Sequence, residues 1–148
     1  MAEGGSASPA LSLSRADGWV LLLTDGGMMA TILIVEDQED MRKLYQAILE
    51  PMGHDVLIAS QGVEGLHGLK KHPDLVLLDL SMPTASGDVV LGFIRSTAEL
   101  ADVRVLVISA HPDAESIAEK LEADAFLQKP ASVKEIMETV NRLLESPG

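Results

Sequence analysis

Four groups of polar residues stand directly behind apolar runs. Glu36-Asp37 follows TILIV (31–35), Asp79 ends the run DLVLL (74–78), Ser109 follows VRVLVI (103–108), and Lys129-Pro130 follows DAFLQ (124–128). Each has an ordinary reading: a helix cap, a solvated turn, a surface lysine. Independent caps have no reason to bring three acids, a hydroxyl and an amine to the same ends of successive runs. Asp79 is the sharpest case, because burying an unpaired carboxylate costs several kcal/mol. Two carboxylates 4 Å apart repel by about 4 kcal/mol at an effective dielectric of about 20. Such a group must protonate, splay apart or hold a cation. Hard oxygen ligands without Cys or His suit Mg2+, which accepts one or two carboxylates and keeps waters and phosphate oxygens. With Lys129 as a second positive charge, Asp79 as nucleophile and Ser109 as hydroxyl, the set is equipment for phosphoryl transfer.

The elements that must position these groups follow from periodicity. From Thr31 onward, an apolar strand followed by a helix-period segment recurs five times, with DVLIA (55–59) as the remaining strand. The first helix carries Met41, Leu44, Tyr45, Ile48 and Leu49 at i, i+3, i+4, i+7 and i+8. The last carries Val133, Ile136, Met137, Val140, Leu143 and Leu144, and opens with the capping box Ser132-Val133-Lys134-Glu135. Pro112 is expected at the first position of the fourth helix. The second helix is weakened by Gly62, Gly65 and Gly68, each worth up to about 1 kcal/mol relative to Ala. Alternation of this kind predicts an α/β fold: a doubly wound, five-stranded parallel sheet of order 2-1-3-4-5, flavodoxin-like (βα)5. In that order ligands bind beyond the carboxyl ends of the strands, where strand order reverses between strands one and three. Glu36, Asp37 and Asp79 straddle that point.

The whole chain sets bounds. It has 148 residues, enough for one domain with a substantial core. Its net charge of −12 and lack of a basic stripe argue against nucleic-acid or anionic-membrane binding. No segment reaches the roughly 18 uninterrupted apolar residues of a membrane span. With no cysteine there is neither a disulfide framework nor a thiolate metal site. A cytoplasmic location is expected. Residues 1–28 are expected to be a disordered or loosely docked extension ahead of a domain at 29–148. Trp19–Leu23 (WVLLL) resembles half of a hairpin with the first strand, but the predicted order flanks that strand on both sides, so such pairing is not expected.

ILIVEDQ, DLVLLDLSMPTASG, VLVISA and AFLQKP, in this order and spacing, resemble the receiver domain of two-component response regulators, in its single-domain, chemotaxis-regulator-like form. The resemblance covers about residues 31–145. It implies that Asp79 accepts a phosphoryl group from the phosphohistidine of a sensor histidine kinase or phosphotransfer protein. It further implies that Asp37, Asp79 and the main-chain carbonyl of Ser81 bind Mg2+, with Glu36 acting mainly through water. Lys129 would pair with the phosphoryl group across a cis bond to Pro130. Ser109 and Phe126 would form the switch, and the output face would be the fourth helix, fifth strand and fifth helix. The chain ends just after the fifth helix, so output is expected through a partner protein in trans, from a monomer or weak homodimer.

This sequence departs from the family pattern at Glu122, where glycine is usual, so the turn after the fourth helix is expected to be built differently. Thr84-Ala85-Ser86 replaces the common segment before Gly87. Ser81 and His111 occupy the positions that tune dephosphorylation in the family. The alternatives are a phosphorylation-independent binding module (a pseudo-receiver), an aspartyl phosphatase and a flavoprotein. The first usually lacks an acid or the lysine. The phosphatase pattern wants an acid at Ser81, and a flavin-phosphate loop would be repelled by EDQED. His54, His67, His72 and His111 are scattered among turns and helices; none has metal-ligand spacing and none looks like a phosphodonor, so the kinase is expected to be another protein.

Overall fold

The computed structural model describes residues 29–82 and 87–145. The WVLLL segment, the proposed extension up to residue 28 and Thr84-Ala85-Ser86 lie outside the described residues. Five strands, β1 (Thr31–Val35), β2 (Asp55–Ala59), β3 (Leu75–Leu78), β4 (Arg104–Ser109) and β5 (Ala125–Gln128), form one sheet of order β2-β1-β3-β4-β5. All four pairings are parallel. Five helices alternate with them: α1 (Glu39–Leu49), α2 (Gly62–Gly68), α3 (Gly87–Ser96), α4 (Ala114–Lys120) and α5 (Val133–Glu145). This is the fold that the periodicity predicts.

The pleat sends alternate residues of the central strands to opposite faces. Ile32, Ile34, Leu75, Leu77, Leu106 and Ile108 pack with Tyr45, Ile48 and Leu49 of α1 and Ile136, Val140 and Leu143 of α5. Leu33, Val35, Val76, Leu78, Val105 and Val107 pack with Leu69, in the 3-10 turn just after α2, and with Val90, Leu91 and Ile94 of α3 and Ala114 and Ala118 of α4. Burial on both faces explains why β1, β3 and β4 read as continuous apolar runs. The edge strands β2 and β5 are more exposed.

Asp74 and Asp124, read from sequence as strand residues, precede β3 and β5 and tie neighbouring strands together. Asp74 Oδ2 accepts the Thr31 N–H at 2.8 Å, and Asp124 Oδ2 accepts the Val105 N–H at 2.7 Å. The glycines that weaken α2 let it approach the sheet. A Cβ at Gly68 would come within 2.8 Å of Leu33 Cδ1, and one at Gly65 within 3.1 Å of Val35 Cγ1. At α5 the capping box is formed: Glu135 N–H donates to Ser132 Oγ at 3.0 Å and Ser132 N–H to Glu135 Oε1 at 2.9 Å.

Two expectations are corrected. Pro112 is not the first residue of α4: it sits in the turn before Asp113, the residue that precedes the helix. There His111 Nδ1 accepts the Asp113 N–H and the His111 carbonyl accepts the Ala114 N–H, so the chain turns once more before the helix starts. Glu122 does not force a different turn after α4. It adopts the left-handed conformation itself, at φ 64°. Its N–H donates to the Glu119 carbonyl at 3.1 Å, and the Ala123 N–H donates to the Ala118 carbonyl at 2.8 Å. These two bonds are a Schellman close, which satisfies the last helical carbonyls and offsets the strain of a non-glycine residue.

Candidate phosphoacceptor and metal site

The C-terminal ends of β1, β3, β4 and β5 converge on one rim. Asp79 follows β3, with 4% of its surface exposed, and its N–H donates to the Val35 carbonyl at 3.1 Å, continuing the sheet ladder. Glu36 follows β1 and is 1% exposed, while Asp37 beside it faces solvent. Carboxylate oxygens of Glu36, Asp37 and Asp79 all lie within 4.8 Å of one another. Lys129 Nζ reaches the cluster from the end of β5, donating to Glu36 Oε1 at 2.9 Å and to Asp79 Oδ2 at 3.3 Å. The Lys129–Pro130 peptide is cis, as the resemblance implies.

The remaining lone pairs are directed by backbone groups. Asp79 Oδ1 accepts the Ser81 N–H at 3.0 Å, and Glu36 Oε2 accepts the Gln38 N–H at 3.2 Å. Burial pushes the Glu36 carboxyl up, the bond and charge of Lys129 pull it partly back, and the charge of Asp79 adds to the rise. Burial works to lower Lys129, but its hydrogen bond to Glu36 and the charges of Asp79 and Glu36 outweigh it, so the ammonium is held above its ordinary range. One cation therefore offsets part of three negative charges, and an excess of oxygen donors remains. No His or Cys joins the cluster. That donor set suits a small hard divalent cation.

Ser109, fully buried at the end of β4, lies beside the cluster. Its Oγ is 3.2 Å from Ser81 Oγ and accepts the His111 N–H at 3.2 Å, and its carbonyl accepts the Lys129 N–H. Phe126 pairs with Val107 across β4 and β5 and is half-buried against the α2–α3–α4 side of the core. All the side chains singled out from sequence are thus on one rim or, for Phe126, on the strand leading to it.

Two contributors are not legible in sequence. Gly87 starts α3 directly over Asp79: a Cβ there would overlap the Asp79 carbonyl oxygen and crowd the Leu80 backbone. Arg42 of α1 folds back so that Nη1 donates to the Glu36 carbonyl at 2.9 Å and the Asp37 carbonyl at 3.0 Å. Gly87 carries a weak signal, as a glycine behind a polar stretch of sequence. Arg42 carries none, because nothing in a helical pattern says which way a long side chain bends.

A buried acid ending the third strand of a 2-1-3-4-5 sheet, flanked by acids from strand one and a lysine from strand five, defines a receiver-type fold and site. The family model for the response regulator receiver domain matches residues 32–141, and the chain belongs to that family. It is a two-component signalling receiver and not a conventional enzyme. The chain is 31% identical over 121 residues to the polar-differentiation response regulator DivK of Brucella ovis, covering 79% of this chain and 98% of that one. Among solved structures it resembles Vibrio cholerae chemotaxis protein CheY4 in fold, with TM-score 0.73 and 24% identity over 79% of this chain and 100% of that one. It also resembles the Mn(2+)-bound form of response regulator Rcp1, with TM-score 0.66 and 25% identity over 80% of this chain and 97% of that one. Membership of the family implies a histidine kinase as partner. Among the described residues no helix is long and apolar enough to cross a membrane.

Proposed function

We propose that this chain is a phosphorylation-operated switch in which Asp79 is the phosphoacceptor. The observation that carries this reading is the position of Asp79. It lies at the end of a strand buried on both faces, with Lys129 Nζ 3.3 Å from Oδ2 and the oxygens of Glu36 and Asp37 within 4.8 Å. A carboxylate oxygen of Asp79 attacks the phosphorus of a kinase or phosphotransfer phosphohistidine. The P–N bond breaks as the P–O bond forms, and the imidazole leaves with the electron pair. Lys129 holds the incoming group by charge. Asp37, Asp79 and the Ser81 carbonyl would hold Mg2+, with Glu36 behind them. The ion's contribution is to neutralise charge on the transferring oxygens. Response regulator Rcp1, which this chain resembles, has a Mn(2+)-bound form, which supports a divalent ion as the partner of this chain.

The aspartyl phosphate adds about −1.5 to −2 of charge and three acceptor oxygens. Lys129, already bonded to Asp79 Oδ2, would answer it together with the Ser109 hydroxyl, and Phe126 on β5 would follow Ser109. Inverting a 99:1 population takes about 5.5 kcal/mol or more of differential interaction. Two or three charge-assisted bonds at about 1.5–3 kcal/mol each approach that. The output is binding to a partner protein through α4, β5 and α5, with residues 29–148 as the receiver unit and residues 1–28 as an extension of it. Phosphate incorporation from acetyl phosphate with Mg2+ is expected for the native chain and lost in Asp79→Asn. Equal incorporation in that variant overturns the assignment. Partner binding that ignores phosphorylation and Mg2+ would instead favour a phosphorylation-independent binding module.

A further inference from the structure

Arg42 is a cation placed where a helix disfavours one. It is the fourth residue of α1, and its side chain runs toward the N-terminal end, where the helix dipole is positive. Specific bonds hold it there: a single nitrogen, Nη1, donates to the consecutive carbonyls of Glu36 at 2.9 Å and Asp37 at 3.0 Å. Neighbouring carbonyls that converge on one point repel each other and need a donor between them. With both carbonyls turned toward α1, the peptide planes of residues 36 and 37 are set, and with them the directions of the two side chains. Carboxylate oxygens of those side chains and of Asp79 lie within 4.8 Å of one another.

We propose that Arg42 is a positioning residue for the divalent-cation site, which it serves by fixing the Glu36–Asp37 backbone so that both carboxylates face Asp79. The proposal rests on the reading of the acid cluster as a Mg2+ site. Two effects of Arg42 on the ion oppose each other. Its charge, near three acids, weakens cation binding; its two hydrogen bonds pre-organise the ligands and strengthen it. The geometry puts the second effect ahead, because the positive end of Arg42 is spent on main-chain oxygens rather than on the carboxylates. Groups behind a ligand set commonly change metal affinity by about 10- to 100-fold.

The test is Mg2+ titration of the unphosphorylated chain by calorimetry, for the native protein, Arg42→Met and Arg42→Lys. Arg42→Met is expected to weaken Mg2+ binding about tenfold. Arg42→Lys keeps the charge and one donor group and is expected to fall between Met and native. In acetyl-phosphate reactions the half-saturating Mg2+ concentration should rise by a similar factor in Arg42→Met, while the rate at saturating Mg2+ stays within about twofold. Urea unfolding in EDTA checks that each variant is folded. If Arg42→Met does not fold, the comparison of Arg42→Lys with native decides. Unchanged or tighter Mg2+ binding in the folded variants overturns the role of Arg42, since loss of charge alone would tighten it. Failure of the native protein to bind Mg2+ overturns the metal site itself, which is a separate result.

Discussion

Lys129 and Glu36, 93 positions apart in the chain, form an ion pair of 2.9 Å at the rim of the sheet. The acid is 1% exposed and the lysine side chain 14%. Removing one partner of a buried pair leaves an uncompensated charge, at a cost of about 3–5 kcal/mol. Lys129→Met should therefore destabilise the chain by about that much in EDTA at pH 8. The sign at lower pH follows from Glu36, whose carboxyl burial already pushes up. Without Lys129 it rises further, the folded state binds more protons than the unfolded one, and stability returns as pH falls. Urea unfolding at pH 5 and pH 8 should show a smaller deficit at pH 5. A deficit independent of pH would show that Glu36 is not the group left exposed to the loss.

Gly87→Ala should damage both fold and site. Its Cβ would overlap the Asp79 carbonyl and crowd the backbone of Leu80, neither of which can rotate away as a side chain can. Over-packing of this kind costs about 1–3 kcal/mol. The displaced atoms belong to Asp79, the proposed phosphoacceptor, so acetyl-phosphate labelling of the folded variant should also slow at saturating Mg2+. Labelling at the native rate would show that the β3–α3 connection moves without carrying Asp79 with it.

Glu122→Gly should stabilise. The native residue holds φ 64°, a conformation that costs a side-chain-bearing residue about 1–2 kcal/mol, while glycine adopts it freely at some expense in unfolded-state entropy. The two closing bonds use backbone groups and survive the change, as does the bond from Arg95 Nε to the residue 122 carbonyl at 2.8 Å. A net gain of about 0.5–1 kcal/mol is expected in urea midpoints. A loss would assign the Glu122 side chain a stabilising role of its own.

His54 should make stability fall in mild acid. Its Nδ1 accepts the Ala30 N–H at 3.1 Å, which only the neutral ring can do, and its pKa is lowered from 6.5 by burial, partly opposed by the charge of Asp74. The unfolded ring binds a proton before the folded one, so the contribution is fully present above about pH 6.5 and is lost as pH falls through the lower folded value. His54→Asn keeps an acceptor and removes the titration. Its unfolding free energy should be flatter than native between pH 7 and pH 5, and an identical slope would place the titration elsewhere.

Much of this molecule could be read from sequence because its information is local or periodic. Strands buried on both faces must be apolar throughout, so β1, β3 and β4 stand out as runs. Helices with one buried face repeat at 3.6 residues, so α1 and α5 stand out as stripes. Given that alternation, the parallel order and the rim that collects Glu36, Asp37, Asp79, Ser109 and Lys129 follow. What tertiary structure alone decided is direction and close approach. The bend of Arg42 back toward the start of its own helix, the backbone contact that forbids a Cβ at Gly87, the close approach of Gly68 to Leu33, the left-handed backbone at Glu122, and the extra turn at Pro112 all depend on what lies across from each residue. A side chain's type limits which bonds it can make, but the partner that selects one of them is supplied by segments distant in the chain.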